Sequence, residues 1–561
     1  MKSKISSSFQ KFKAPLFIQS LVALVLAVPS VASAIEIKDT NYQPPSGAFY
    51  VSPTGKNSNS GRNPGSPWPL KKALASAPSG ATIVFRGGTY RTSADIGKKL
   101  TLQAYPREKA WLKGSAVVSG WVSDGGKWRK DNWKYGFPRN MGKEYIDPKY
   151  PLAGNRDMVF VNGQALKQVG DRAKVGPGTF YVDYRGNKLY IGSNPRGKTV
   201  EATVIETGLT MWRANGSTIR GLGFAHYADR GLILGAANVT LENNTFAWNG
   251  VYGVKTYQNP NSIMRGNTFS YNGRTGLRAS YANRLLLENN MISHNNVERF
   301  AITWDAGGTK ITEADGIIVR NNIVENNLST GLWLDLAVTN AKVVHNIARN
   351  NDIIGIFFEI SRGAIIASNV SHNNGIGIMV SNASNTKVYN NTLANNNRNM
   401  WVKETGRVPD KKLRAQGIDG KTRDNVIKNN ILSNTNGGPF LEAENCATKQ
   451  RSKIMISAAD SNAYYRKSSR SPKTVASWSL GPSNCRAKYS SIAAFKSATG
   501  FEKRALWIDN TATNPFFVNA ERGDYRLKSG SPAINHGEPL PKDVAAAIGV
   551  RAGARLNLGA K

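Results

Sequence analysis

The chain has 561 residues, enough for several ordinary domains or for one long solenoid. Its 74 Lys and Arg against 37 Asp and Glu leave a formal net charge of +37, a field that gathers polyanions such as acidic polysaccharide, nucleic acid or anionic lipid. Two cysteines, and five histidines without ligand spacing, exclude a Cys/His zinc fold.

Lys2, Lys4, Lys11 and Lys13 precede an apolar run, LFIQSLVALVLAV, which ends at Pro29 and is followed by SVASA. A basic start, a short apolar stretch and small residues at Ala32 and Ala34 predict a signal peptide over 1–34, cleaved after Ala34. The mature protein is therefore expected to be secreted or periplasmic, without a membrane span and monomeric. Export moves nucleic acid off the list of partners and leaves acidic polysaccharide at its head.

Residues 35–106 open the mature chain. FYVSPTGKNSNSG is a loop rich in Gly, Asn and Ser, PLKKALASA predicts a short helix, and ATIVF and KKLTLQAY predict strands. A helix at the start of a solenoid would cap its open end. Residues 107–200, with WRKDNWKYGF and GTFYVDYRGNKLYIG, read as a β-rich insertion.

From 201 to 435 a motif recurs: RGLGF, ENNTF, RGNTF, ENNMI, RNNIV, VHNIA, ASNVS, YNNTL, KNNIL. Its middle residues are Leu222, Asn244, Asn267, Asn290, Asn322, Asn346, Asn369, Asn391 and Asn430, mostly 22 to 24 residues apart. This period, with apolar residues after each Asn, predicts the coils of a parallel β-helix, each burying its apolar side against the next. Asn at a fixed turn can hydrogen-bond to the Asn above it as a ladder. Beyond 436 the period fades into a basic, loop-rich C-terminal region, where Cys446 and Cys485 are placed to pair if exported.

The opening YVSPTGKNSNSG with GATIVFRGGTY, the Asn repeat and the ending DYRLKSGSPAINHG resemble the pectate-lyase-like right-handed parallel β-helix family of secreted polysaccharide lyases. The resemblance implies an all-β, right-handed parallel β-helix. It leaves the reaction open, because that superfamily holds lyases, hydrolases, epimerases and non-catalytic adhesins.

A glycine follows most of the Asn residues by eight or nine positions: Gly253, Gly276, Gly331, Gly355 and Gly377. The first and third residues after each are mostly apolar, Leu332 and Leu334 or Ile356 and Phe358, and are expected to point inward. The second and fourth should then face out: Lys255 and Tyr257, Arg278 and Ser280, Trp333 and Asp335, Phe357 and Glu359, Met379 and Ser381. One coil, RFAITWDAGGTK, reads as lacking the glycine, with Trp304 and Asp305 at its strand end and Lys310 in the loop beyond.

This face has the parts for a β-elimination on a uronate: Lys310 or Lys255 as base, Arg278 to neutralise the carboxylate, and aromatic platforms for sugar at Trp333, Phe357, Tyr257 and Trp304. Asp305, Asp335 and Glu359 could hold Ca²⁺. A C5-epimerase would need nearly the same groups. Two alternatives remain: a glycoside hydrolase with Asp335 and Glu359 as its carboxyl pair, and a glycan-binding β-helix without catalysis.

Overall fold

The computed structural model describes residues 35–138 and 141–560; the signal peptide expected over 1–34 lies outside them. Among the described residues no helix is long and apolar enough to cross a membrane. The chain winds into three 13-stranded sheets, each coil giving one short strand to each sheet. Pairing along all three is parallel, except for the last pair of the third, Ala476–Trp478 with Ala487–Tyr489.

The predicted ladder is present, and it is one of two. In the first, each Asn side-chain oxygen accepts from the previous coil, and each amide donates both to a backbone carbonyl and to the next Asn. Asn267 Oδ1 accepts from Asn244 N at 3.0 Å and Asn244 Nδ2 at 3.1 Å. Asn267 Nδ2 donates to Leu241 O at 2.8 Å and to Asn290 Oδ1 at 3.1 Å. This row continues through Asn322, Asn346, Asn369, Asn391 and Asn430 to Asn462, whose amide ends on the Glu502 carboxyl at 2.7 Å.

The second ladder runs five residues later in each coil: Asn249, Asn272, Asn295, Asn327, Asn351, Asn374 and Asn396. It also explains the recurring glycine. A Cβ on Gly331 would stand 2.8 Å from Gly355 O and 2.9 Å from Asn351 Nδ2, so only glycine lets the strand approach the ladder and the next coil.

Between the ladders the interior is apolar, including a column of Phe224, Phe246 and Phe269 with ring centroids 4.9 and 5.4 Å apart. Both ends are covered. The predicted N-terminal helix spans Leu70–Ser76 and buries Leu70 and Ala73. A second helix, Ile492–Thr499, is capped by Ser491 and packs Phe495 against Trp478 and Tyr489.

The β-rich insertion closes on itself where Val200–Thr203 pairs antiparallel with Ser115–Val117, and it has its own apolar core. The C-terminal region differs from the expectation of a loop-rich tail. Leu441–Glu444, Ala463–Arg466 and Leu506–Asp509 still join the solenoid sheets, so the coils continue to about residue 509, their period masked by longer connections. The last segment folds back along the outside, pairing Lys428 with Glu538 and Lys387 with Asp543. Cys446 and Cys485 form a disulfide across 39 residues, a span for which loop closure alone is worth about 4 kcal/mol.

An interior rung should be costly to remove. Asn346→Leu removes the acceptor of both Asn322 N–H and Asn322 Nδ2–H within the ladder. At roughly 1–3 kcal/mol for each orphaned buried group, we expect a loss of about 2–6 kcal/mol, read as a lower midpoint in denaturant or thermal unfolding.

Candidate functional site

Parallel pairing in the third sheet sets the outward residues into columns. The first column reads Lys255, Arg278, Lys310, Trp333, Phe357, Met379, Trp401. The second reads Tyr257, Ser280, Thr312, Asp335, with Asp335 alongside Glu359 at the next step. Leu332, Leu334, Ile356 and Phe358 point into the core, as the alternation predicts.

Lys310 is placed differently from the sequence expectation. It lies on a strand, Gly307–Thr312, between Arg278 and Trp333, and Gly308 is the recurring glycine of that coil. The extra residues fall earlier, over 297–306, and move the strand past the motif that was read as its end. Trp304 and Asp305 therefore sit on a loop over the floor rather than at a strand end.

Two walls flank the floor. Residues 404–422 form a strap: Leu413 and Ile418 pack on Ala337 and Ile360, and Lys412 Nζ lies 3.1 Å from Tyr281 OH and 3.2 Å from Glu313. Its base is tied by the Glu404 carboxylate, which accepts from Asn382, Gly406 and Thr422. The opposite wall joins the 297–306 loop to the insertion: Ile146 bridges Phe300, and the Tyr145 and Trp304 rings lie 5.6 Å apart. The result is a trough with sheet as its floor.

The trough holds two distinct clusters. The first gathers around Lys255. Arg230, Arg274 and Arg278 surround it, and the Tyr252 ring lies 5.4 Å from its amine. Burial, reinforced by the three guanidinium groups, pushes the Lys255 amine down to about 8. No hydrogen bond or ion pair to that amine is found among the described residues. Tyr252 OH donates to Asp305 at 3.1 Å and accepts from Arg274 at 3.2 Å. Asp305 also pairs with Arg274, and with Arg278 at 3.4 Å. Arg278 reaches Thr312 Oγ1 at 3.1 Å.

The second cluster begins at Lys310, two strands from Lys255 and about 10 Å along the sheet. Lys310 is sandwiched: its amine lies 2.8 Å from Asp335, 3.5 Å from the centre of the Trp333 ring, and donates to Trp304 O. Burial lowers its basicity while Asp335 raises it. Trp333 stacks on Phe357 at 5.4 Å and donates Nε1–H to Glu359 at 3.2 Å. Burial, then the neighbouring charge of Asp335, pushes the Glu359 carboxyl up to about 8, with Lys310 and Arg407 opposing.

Trp333, Phe357, Asp335 and Glu359 are each under a tenth exposed. Their columns cover them: each ring is sandwiched by the next, so they are floor rather than open platforms. Tyr257 and Trp304 do reach solvent. The acids expected to share a cation are not gathered. Asp305 lies in the first cluster and Asp335 and Glu359 in the second, and no group of three His, Cys, Asp or Glu side chains set to hold a metal occurs among the described residues.

Arg230, Tyr252 and Arg274 escape an alternation counted only forward from each glycine. Arg230 and Tyr252 each stand one residue before their glycine, Gly231 and Gly253, and Arg274 two before Gly276. Reading those positions as well would expose them.

Residues 230–393 and 355–457 match a family model described as right handed beta helix region. The fold is a right-handed parallel β-helix. Among solved structures, this β-helix is similar to XylC in complex with xylose, with 17% identity over 74% of this chain and 83% of that one, at a TM-score of 0.60. Weaker likenesses are to the pectate lyase Pel9A (14% identity, 94% and 98% covered, TM-score 0.41) and to the A-module of the Azotobacter vinelandii mannuronan C-5 epimerase AlgE6 (13%, 80% and 93%, TM-score 0.44). No curated protein matches the sequence.

The Glu359 carboxyl titrates well above its ordinary value of 4.5. A raised folded-state value means that its contribution to stability is full below 4.5 and is lost as pH rises through about 8. Glu359→Gln keeps an acceptor for Trp333 Nε1 and removes that titration. Its melting temperature relative to wild type should rise steadily from acid to pH 9, with the variant the more stable above 8.

Proposed function

We propose that this protein acts on an anionic polysaccharide, and that the cluster around Lys255 removes the proton α to a uronate carboxylate. The observation that carries the reading is the Lys255 amine itself: unpaired, lowered to about 8, and ringed by arginines beside a tyrosine. A neutral amine is a competent base near neutral pH. The arginines neutralise the carboxylate and the charge that spreads onto it as the proton leaves.

The proton goes to the Lys255 nitrogen, and the electron pair enters the carboxylate-stabilised carbanion. In β-elimination that pair forms the C4–C5 double bond while the C4–O4 bond breaks, and the Tyr252 phenol, held by Asp305 and Arg274, gives the departing oxygen its proton. In C5 epimerisation the same phenol would return a proton to C5 from the other face. Elimination and epimerisation thus use one set of residues. Lys310, the other lysine that the sequence puts forward as a base, is already engaged by Asp335, which favours a positioning role. Asp335 and Glu359 lie side by side on the floor instead of across a bond from each other, which counts against a hydrolase pair.

The test is incubation with pectate, alginate and glycosaminoglycans, following the ultraviolet absorbance of unsaturated uronates and, for epimerisation, solvent deuterium entering C5. Lys255→Met should lower kcat/KM by about 10²–10⁴-fold, and Lys255→Arg should fail too, because arginine stays protonated. The wild-type rate should climb with pH and level off above about 8, as the amine loses its proton. Full activity in Lys255→Met, or reducing ends released without unsaturation, would overturn the assignment.

A further inference from the structure

The floor sheet does not begin at Lys255. Its first strands are Ala94–Ile96 and Thr207–Trp212, and the column that holds Lys255 starts at Asp95 and passes through Thr210 and Ile233. Beside these strands, next to the capping helix Leu70–Ser76, lies a cleft of about 790 Å³. Its lining includes Lys71 and Leu74 from the helix, and Asp95, Glu206, Thr207 and Thr210 from the sheet side. That volume is within the usual range for a small-ligand site, roughly 300–1,000 Å³.

The chemistry of this cleft differs from that of the Lys255 cluster. Its lining is partly apolar, with Leu70, Leu74 and Ile205, and its polar part is hydroxyls, Asp95, Glu206 and Lys71. Arg156 already pairs with Glu206, so Lys71 is the one cation lining the cleft for a uronate carboxylate, whereas the Ser and Thr oxygens and Asp95 suit sugar hydroxyls. A second feature points the same way. Trp212, on the strand that supplies Thr207 and Thr210, is 47% exposed, one of the most exposed tryptophans or tyrosines of the described chain. Its register partner is Gly235, where a Cβ would fall 1.9 Å from the indole ring. The ring thus lies over the glycine and turns its remaining surface outward, the arrangement that suits the C–H face of a sugar.

We propose that the cleft beside Leu70–Ser76, together with Trp212 two residues beyond Thr210 on the same strand, binds the uncharged end of the polysaccharide, so that reaction at Lys255 takes place at a set distance from one chain end. The occupant is a neutral, hydroxyl-rich sugar whose chain continues into uronates. This inference rests on the reading of Lys255 as the reacting site. The distance is short: from the Thr207–Trp212 strand to the Tyr252–Tyr257 strand is two strand steps, about 10 Å. The capping helix bounds the cleft where the floor sheet ends, so a bound chain would stop there.

Two measurements separate this proposal from the one it rests on. The first is calorimetric titration of two synthetic oligosaccharides, one all-uronate and one with a neutral hexose at one end, against wild type, Trp212→Ala and Thr210→Phe, a substitution that puts a ring into the cleft from its sheet side. Wild type should bind the hexose-ended oligosaccharide more tightly. Either variant should lose about tenfold in Kd for it and little for the other. Equal affinities in wild type, or unchanged Kd in both variants, would overturn the cleft as a sugar site, whether or not Lys255 is a base.

The second is product length during early turnover of a uronate polymer with neutral ends. Wild type should release short products of one size, and Trp212→Ala should raise KM with kcat kept and spread the sizes. A broad ladder from wild type at the outset would overturn action at a fixed distance from the end. Loss of turnover in Lys255→Met with hexose-end binding retained would support the cleft and the reacting site as separate.

Discussion

Buried side-chain hydrogen bonds between asparagines are the constraint on which the rest of this molecule depends. A parallel sheet alone tolerates slippage, because backbone pairing is much the same at every register. Here each coil is pinned twice, at two asparagines five residues apart, to a carbonyl behind and an amide oxygen ahead. A slip would orphan several buried polar groups. The ladders thus convert a repeat in sequence into columns in space, and those columns place Lys255 beside Arg278 and Lys310 beside Trp333.

The columns also show how one side chain takes different chemistry from its neighbours. Lys255 and Lys310 occupy equivalent positions two strands apart. Lys310 has a carboxylate on the adjacent column and an indole beneath it, so its charge is neutralised and its amine held. Lys255 has guanidinium groups and a phenol around it and no acid in contact, so its charge is opposed and its amine stays available. The two lysines are distinguished by what surrounds them, not by their strand position.

That distinction marks the boundary of what could be read from the residues alone. The coil period, the apolar inward alternation and the outward row from Lys255 to Glu359 were legible, because each depends on spacing within one coil. The second ladder is legible too, since Asn249, Asn272 and Asn295 repeat at the same offset as the first. Lys310 was misplaced because the extra residues in its coil come before the strand, and spacing from Asn290 alone cannot show where they loop out. The partition of the acids between two clusters was not legible, because Asp305 reaches Arg274 only through the shape of that loop. The coils beyond 436 were hidden by long connections, and the burial of Trp333 and Phe357 depends on column stacking that no single coil displays.

The strap over 404–422 leaves the solenoid between two late coils yet reaches back to Tyr281 and Glu313, on coils formed much earlier in the chain. A pure solenoid has only nearest-neighbour contacts, and its ends can fray one coil at a time. The strap, the C-terminal segment returning to Lys387 and Lys428, and the N-terminal Tyr42 on Arg220 and Asn243 all tie distant coils together. These ties make unravelling more nearly all-or-none. They also set an order of assembly during synthesis: the floor is laid down coil by coil, and the trough gains its second wall only after the coils beneath that wall are stacked. The trough is therefore complete only in a molecule whose register is already correct.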